Sequence, residues 1–96
     1  MRKDIPDVMK VVQVSHACHN AGSVFGIPLG IQPNLVVFEV ENELALKDVH
    51  DRLNRNDISS IMFFEPDNQL GYTSLCTEVL SGDKRKIFKK YKLLNL

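Results

Sequence analysis

The sequence predicts an α/β domain, a three-layer α/β/α sandwich around a small mixed β-sheet. Three observations lead to it. Apolar residues recur at helical spacing in segments with recognisable starts. Short β-branched runs lie between those segments. The length of 96 residues is enough to bury one core and too short for two, so residues 1–96 form a single domain.

Taken in order, Asp4-Ile5-Pro6-Asp7 reads as a helix start, because Asp is a good cap and Pro fits a first turn. Val8, Val11, Val12 and Ser15 follow at helical spacing, which places the first helix over residues 7–21. Gly22, Gly26, Pro28, Gly30 and Pro33 make residues 22–33 a loop, with Val24, Phe25, Ile27 and Leu29 laid against the core or a partner chain. Residues 35–40, Leu-Val-Val-Phe-Glu-Val, have the composition of a strand covered on both faces. Asn42 caps a second helix over 43–55, with Leu46, Val49 and Leu53 as its buried stripe and Lys47, Asp48, Asp51, Arg52 and Arg55 on its wet side. Ser60 to Phe64 is a buried strand, Glu65-Pro66-Asp67-Asn68 a turn, and Gly71 to Thr77 a third strand. A cationic helix closes the chain, with an apolar stripe through Ile87, Phe88, Tyr91 and Leu94. Met1 to Ile5 reads as the stub of a fourth strand.

The formal net charge of zero conceals a dipolar chain. Residues 1–80 carry six Lys or Arg against eleven Asp or Glu, whereas residues 81–96 carry six basic residues against Asp83 alone. Cations gathered on one face suit phosphates, while the acidic remainder argues against a wide nucleic-acid footprint. No apolar run is long enough for a membrane helix and no export signal is legible, so a cytoplasmic protein without a membrane partner is expected. Cys18 and Cys76 accordingly read as reduced, mostly buried thiols. His16, Cys18 and His19 lie close together, but no second ligand pair stands at a recognised spacing, and neither metal nor cofactor is expected.

Several strings, in this order, resemble the type-two peptidyl-tRNA hydrolase family. Arg2-Lys3-Asp4-Ile5 leads into Lys10-Val11-Val12-Gln13-Val14-Ser15-His16-Ala17, which is similar to the family's lysine and its Gln-x-x-His-Ala helix. Leu35 to Val40, Leu46 to Leu53, Phe64-Glu65-Pro66-Asp67 and Lys90-Tyr91-Lys92-Leu93-Leu94 continue the match over nearly the whole chain. The sequence departs from the pattern in two places. Met9 stands where the family carries its lysine, with Lys10 one position later, and the turn after Phe64 lacks the family's Ala-Gly and Pro-Gly pairs.

The resemblance implies a mixed sheet flanked by helices, a homodimer, and hydrolysis of the ester joining a peptide to the 3′ ribose of tRNA, or of a related acyl-nucleotide ester. Such chemistry needs an activated water, a group that steadies the oxyanion, and contacts to the terminal nucleotide. The candidate catalytic residues are Lys10 for charge, His16 for the proton, Glu65 or Asp67 to position water, and Thr73 for the water or a ribose hydroxyl. Gln13, Asn20, Gln69, Tyr72, Lys84, Arg85 and Lys89 are the candidate ligand-binding residues, with the acceptor end of tRNA or a small nucleotide as partner. Two alternatives stand beside the esterase. One is a virus-encoded anti-defence protein of the same fold that binds, sequesters or cleaves a cyclic dinucleotide or ADP-ribose signal; the other is a non-catalytic interaction module using the 24–29 loop.

Overall fold

The computed structural model describes residues 1–26, 30 and 33–95. Helix α1 spans Asp7–Phe25, strand β1 Phe38–Glu39, helix α2 Glu43–Arg55, strand β2 Ser60–Glu65, strand β3 Gly71–Thr77 and strand β4 Lys92–Leu93. Single 3₁₀ segments lie at Asp67–Gln69 and Gly82–Phe88. This is a small mixed helix and strand fold whose described strands form two antiparallel pairs, β1 with β4 and β2 with β3.

The N-terminal residues tie the two pairs together. Arg2 makes a parallel bridge to Val40, and its backbone N–H donates to Thr73 O at 3.0 Å while Lys3 N–H donates to Val40 O at 2.8 Å. Leu75 of β3 packs with the core cluster of Val49, Leu53 and Ile58 on the α2 side, joined by Ile87, Phe88 and Tyr91. Its neighbour Ser74 turns the other way and bonds α1, as alternation along a strand requires.

Helix α2 follows the local signals closely. Asn42 accepts a hydrogen bond from Ala45 N–H, Leu46, Val49 and Leu53 are buried, and Arg52 and Arg55 sit in the last turn, where they complement the helix dipole. Helix α1 does not follow them. It runs to Phe25 rather than residue 21, because Gly22 is tolerated inside it and the stop is Gly26, whose φ of +74° suits glycine and whose N–H donates to Gly22 O. Val24 and Phe25 therefore belong to the helix, while Ile27 and Leu29 of the expected loop lie outside the described residues. Asp4 does not cap α1, since Pro6 holds that position with no side-chain bond and Asp4 instead takes both oxygens to Arg2.

The face α1 presents to the core also differs from the valine pattern. Val8, Val11 and Val12 are 77%, 57% and 49% exposed, and the buried positions are Lys10, Gln13, Ala17 and Ala21. These too recur at intervals of three and four. Small alanines let the helix approach the β2–β3 hairpin, and the polar members of the row find partners there.

Two further elements differ from expectation. The strand over 35–40 contracts to Phe38–Glu39, with Leu35 and Val36 exposed, because β4 is only two residues long and cannot extend the pairing. The same pairing removes the closing helix: Lys92 and Leu93 are held extended against β1, and Leu94 N–H donates to Val37 O at 2.9 Å. What remains is a 3₁₀ segment from Gly82, which still places Ile87 and Phe88 against the core. Strand β2 is half-buried rather than buried, and Phe64 is exposed.

Candidate functional site

Gln13 is the hub of a polar network between α1 and the hairpin. Its Nε2 donates to Glu65 Oε2 at 3.0 Å, its Oε1 accepts from Thr73 Oγ1 at 2.6 Å, and its backbone O accepts from Ser74 Oγ at 2.8 Å. Gln13, Thr73 and Ser74 are all buried, so each bond forms where an unmade one is costly.

Consecutive strand residues ordinarily point to opposite faces, yet Thr73 and Ser74 both reach α1. A register shift explains it. Phe63 pairs with Ser74 and Phe64 with Tyr72, which leaves Thr73 as the extra residue of a bulge. Its carbonyl is taken by Arg2 N–H instead, and its side chain is re-aimed, as bulges do.

Glu65 stands at the rim of this network. Its Oε1 accepts from Asp67 N–H at 3.1 Å. The hydrogen bond from Gln13 holds its carboxyl below the usual range, followed by that from Asp67 and by the charge of His16. The His16 ring is exposed and lies flat on Phe63, with centroids 4.6 Å apart and planes 8° apart. Of the two candidate acids, Glu65 therefore joins the network through its side chain, whereas Asp67 joins only through its backbone N–H.

Lys10, one turn before Gln13 on the same face, is 5% exposed and pairs with Asp7 Oδ1 at 2.9 Å. Arg2 grips Asp4 with Nε and Nη2 and caps the carbonyls of Leu70 and Tyr72 with Nη1. The Arg2 bond holds the Asp4 carboxyl below its ordinary value, with Lys10 adding to the effect. Lys10 is thus an anchored structural cation as well as a candidate for chemistry.

The remaining candidates are scattered. Tyr72 donates its backbone N–H to Glu43 Oε2 at 2.8 Å, and its ring meets Phe64 edge-on. Gln69 is exposed on the 3₁₀ turn with a left-handed φ of 56°. Asn20 is half-buried on α1 and makes no side-chain hydrogen bond among the described residues. Lys84 reaches Asp57 O beyond the end of α2, and Arg85 and Lys89 are exposed on the same segment. That segment packs its apolar side on α2, so these three cations belong to the α2 side and are not gathered at the Gln13 network.

Sequence reasoning passed over Ser74 and read Asp4 and Asp7 only as a helix start, whereas Ser74 holds Gln13, Asp7 holds Lys10 and Asp4 holds Arg2. A signal was present: Gln13 falls in register with Ala17 and Ala21, and a glutamine on a small-residue helix face needs buried partners. Cys18 and Cys76 are free and half-buried, and burial, then Cys18, pushes the Cys76 thiol up to about 12. Among the described residues no three His, Cys, Asp or Glu side chains gather as metal ligands, and no helix is long and apolar enough to cross a membrane. Comparison of the chain with protein-family models, with curated proteins and with solved structures finds no match.

Proposed function

We propose that this chain hydrolyses an acyl ester on the 3′ ribose of a terminal nucleotide, with peptidyl-tRNA as the substrate the sequence pattern favours. The observation that carries the reading is the Glu65–Gln13–Thr73 relay, an ionised carboxylate at an exposed rim locked to a buried hydroxyl by one glutamine. The Gln-x-x-His-Ala string that builds it is the same string that carries the family resemblance, and a three-layer sandwich with homodimeric assembly is the finer architecture that goes with this reading.

In this mechanism Glu65 orients the attacking water, and the neutral imidazole of His16 takes the water's proton as its oxygen bonds the acyl carbon, then passes that proton to the departing ribose 3′ oxygen. Thr73 is buried with its proton committed to Gln13, so it acts by fixing the glutamine that in turn holds Glu65. Lys10, held by Asp7, contributes its positive field to the oxyanion rather than a direct contact.

The test is single-turnover release of a labelled N-blocked aminoacyl group from tRNA, beside an authentic type-two peptidyl-tRNA hydrolase. Release by the wild type that falls at least about a hundredfold in His16→Ala and Glu65→Gln supports the reading. Wild-type release no faster than spontaneous hydrolysis, with the positive control active, overturns it.

A further inference from the structure

The structure holds a second polar feature, remote from the Gln13 network, in the groove between α2 and the segment leading into β4. The groove is open to solvent, offers about 290 Å³ and is lined by Arg52, Arg55, Lys90 and Tyr91, with Asp48 as its carboxylate. Three cations thus face one acid. None of the three has a carboxylate within ion-pair distance among the described residues, where the recorded pairs involve Arg2, Lys3, Lys10, Lys47 and Lys86.

Arg52 is held for a purpose its own bonds do not exhaust. Nη1 donates to Ile87 O at 3.0 Å and to Tyr91 Oη at 2.9 Å, and the guanidinium carbon lies 5.6 Å from the Tyr91 ring centre. Both Nη1 protons are then used, while Nε and Nη2 have no partner among the described residues. That free pair is the side-on edge of the guanidinium, the edge Arg2 uses in this same molecule to grip both oxygens of Asp4. Lys90 Nζ lies over the same tyrosine, 5.6 Å from its centre, and Arg55 is on the Arg52 face of the helix, three residues on.

We propose that this groove binds the phosphate group of a small ligand of mononucleotide size. The side-on edge of Arg52 takes two phosphate oxygens, and Arg55 and Lys90 close on the rest. A side chain already pinned by two hydrogen bonds and a ring loses little freedom on binding, which favours a specific site over a diffuse basic patch. The surroundings favour a small ligand over a nucleic-acid strand. Beyond Tyr91 the groove is lined by Glu39 and Glu41 beside Lys90 and Lys92, so the excess of positive charge does not continue along it as a strand of phosphates would need. The proposal is independent of the ester chemistry.

The test is a titration of the ¹⁵N-labelled chain with inorganic phosphate, AMP and adenosine at constant ionic strength, read at the backbone amides. Phosphate and AMP are expected to shift Arg52, Arg55, Lys90 and Tyr91 saturably, and adenosine is not. Arg55→Gln and Lys90→Gln, which touch none of the hydrogen bonds described above, should each weaken AMP about five- to tenfold. Arg52→Lys, which keeps the charge and loses the edge, should do at least as much, whereas Lys47→Gln should leave binding unchanged. No saturable response to phosphate or AMP, or a response indifferent to Arg55→Gln and Lys90→Gln, overturns the proposal. So does tRNA binding that depends on those two residues in the absence of any AMP response.

Discussion

Thr73 donates its hydroxyl proton to Gln13 across 2.6 Å, joining residues 60 positions apart with both side chains buried. The contact exists because a bulge makes Thr73 surplus to the β2–β3 pairing, and it commits the glutamine's other end to Glu65. Thr73→Val keeps the shape and removes the donor, leaving Gln13 Oε1 buried without a partner. It should cost about 1–3 kcal/mol in urea unfolding at unchanged m-value, with Thr73→Ser costing less. Equal losses in the two variants would mean that packing, not the hydrogen bond, matters at this position.

Glu65 and Asp4 both have carboxyls held below their ordinary values, by Gln13 and by Arg2 respectively. A carboxyl depressed in the folded chain binds fewer protons there than when unfolded. Its stabilisation is therefore complete above the ordinary values of 4.5 and 3.8 and is lost as pH falls below them. Both groups are partly exposed to solvent, which screens them, so the effect is modest. Stability measured from pH 6 down to pH 3 should fall less steeply in Glu65→Gln and in Asp4→Asn than in the wild type, and identical slopes would contradict the assignment.

Lys10 is buried and Asp7, its partner, is exposed. Removing the exposed member leaves a buried ammonium with only the more distant Asp4, whereas replacing the buried member with an apolar chain of similar length removes the charge itself. Asp7→Asn is therefore expected to destabilise by about 1–2 kcal/mol and Lys10→Met by less. Thermal unfolding of the two variants decides the order, and a larger loss in Lys10→Met would show the pair to be a net stabiliser.

Gly71 opens β3 with φ at +74°, and a Cβ there would run into the Glu43 carboxylate. That carboxylate accepts the Tyr72 N–H, so it cannot move away without breaking a bond. Gly71→Ala should cost about 1–3 kcal/mol from backbone strain and displacement of Glu43. In a Glu43→Ala background the cost should shrink to the strain alone. A double-mutant cycle with no coupling would leave φ as the whole cause.

The residues that set local structure by themselves were readable without the fold. Helix α2 has its cap at Asn42, its stripe at Leu46, Val49 and Leu53 and its end at Arg55, and β3 runs from Gly71 to Thr77. Caps, amphipathic spacing and strand composition act within a few residues. The candidate site was readable in part: Gln13, Glu65 and Thr73 are brought together, while Lys84, Arg85 and Lys89 stand on the other side of β3.

Tertiary structure alone decided the face of α1 and the end of the chain. Two rows of α1 have helical spacing, and hydropathy favours the valines. The row that is buried is the polar one, because the hairpin offers Gln13 three hydrogen bonds and lets Ala17 and Ala21 pack closely. Lys84 to Leu94 has the periodicity of a helix, but its last residues pair with β1. A short helix gains little in water on its own, and the backbone bonds of a distant strand outweigh its propensity.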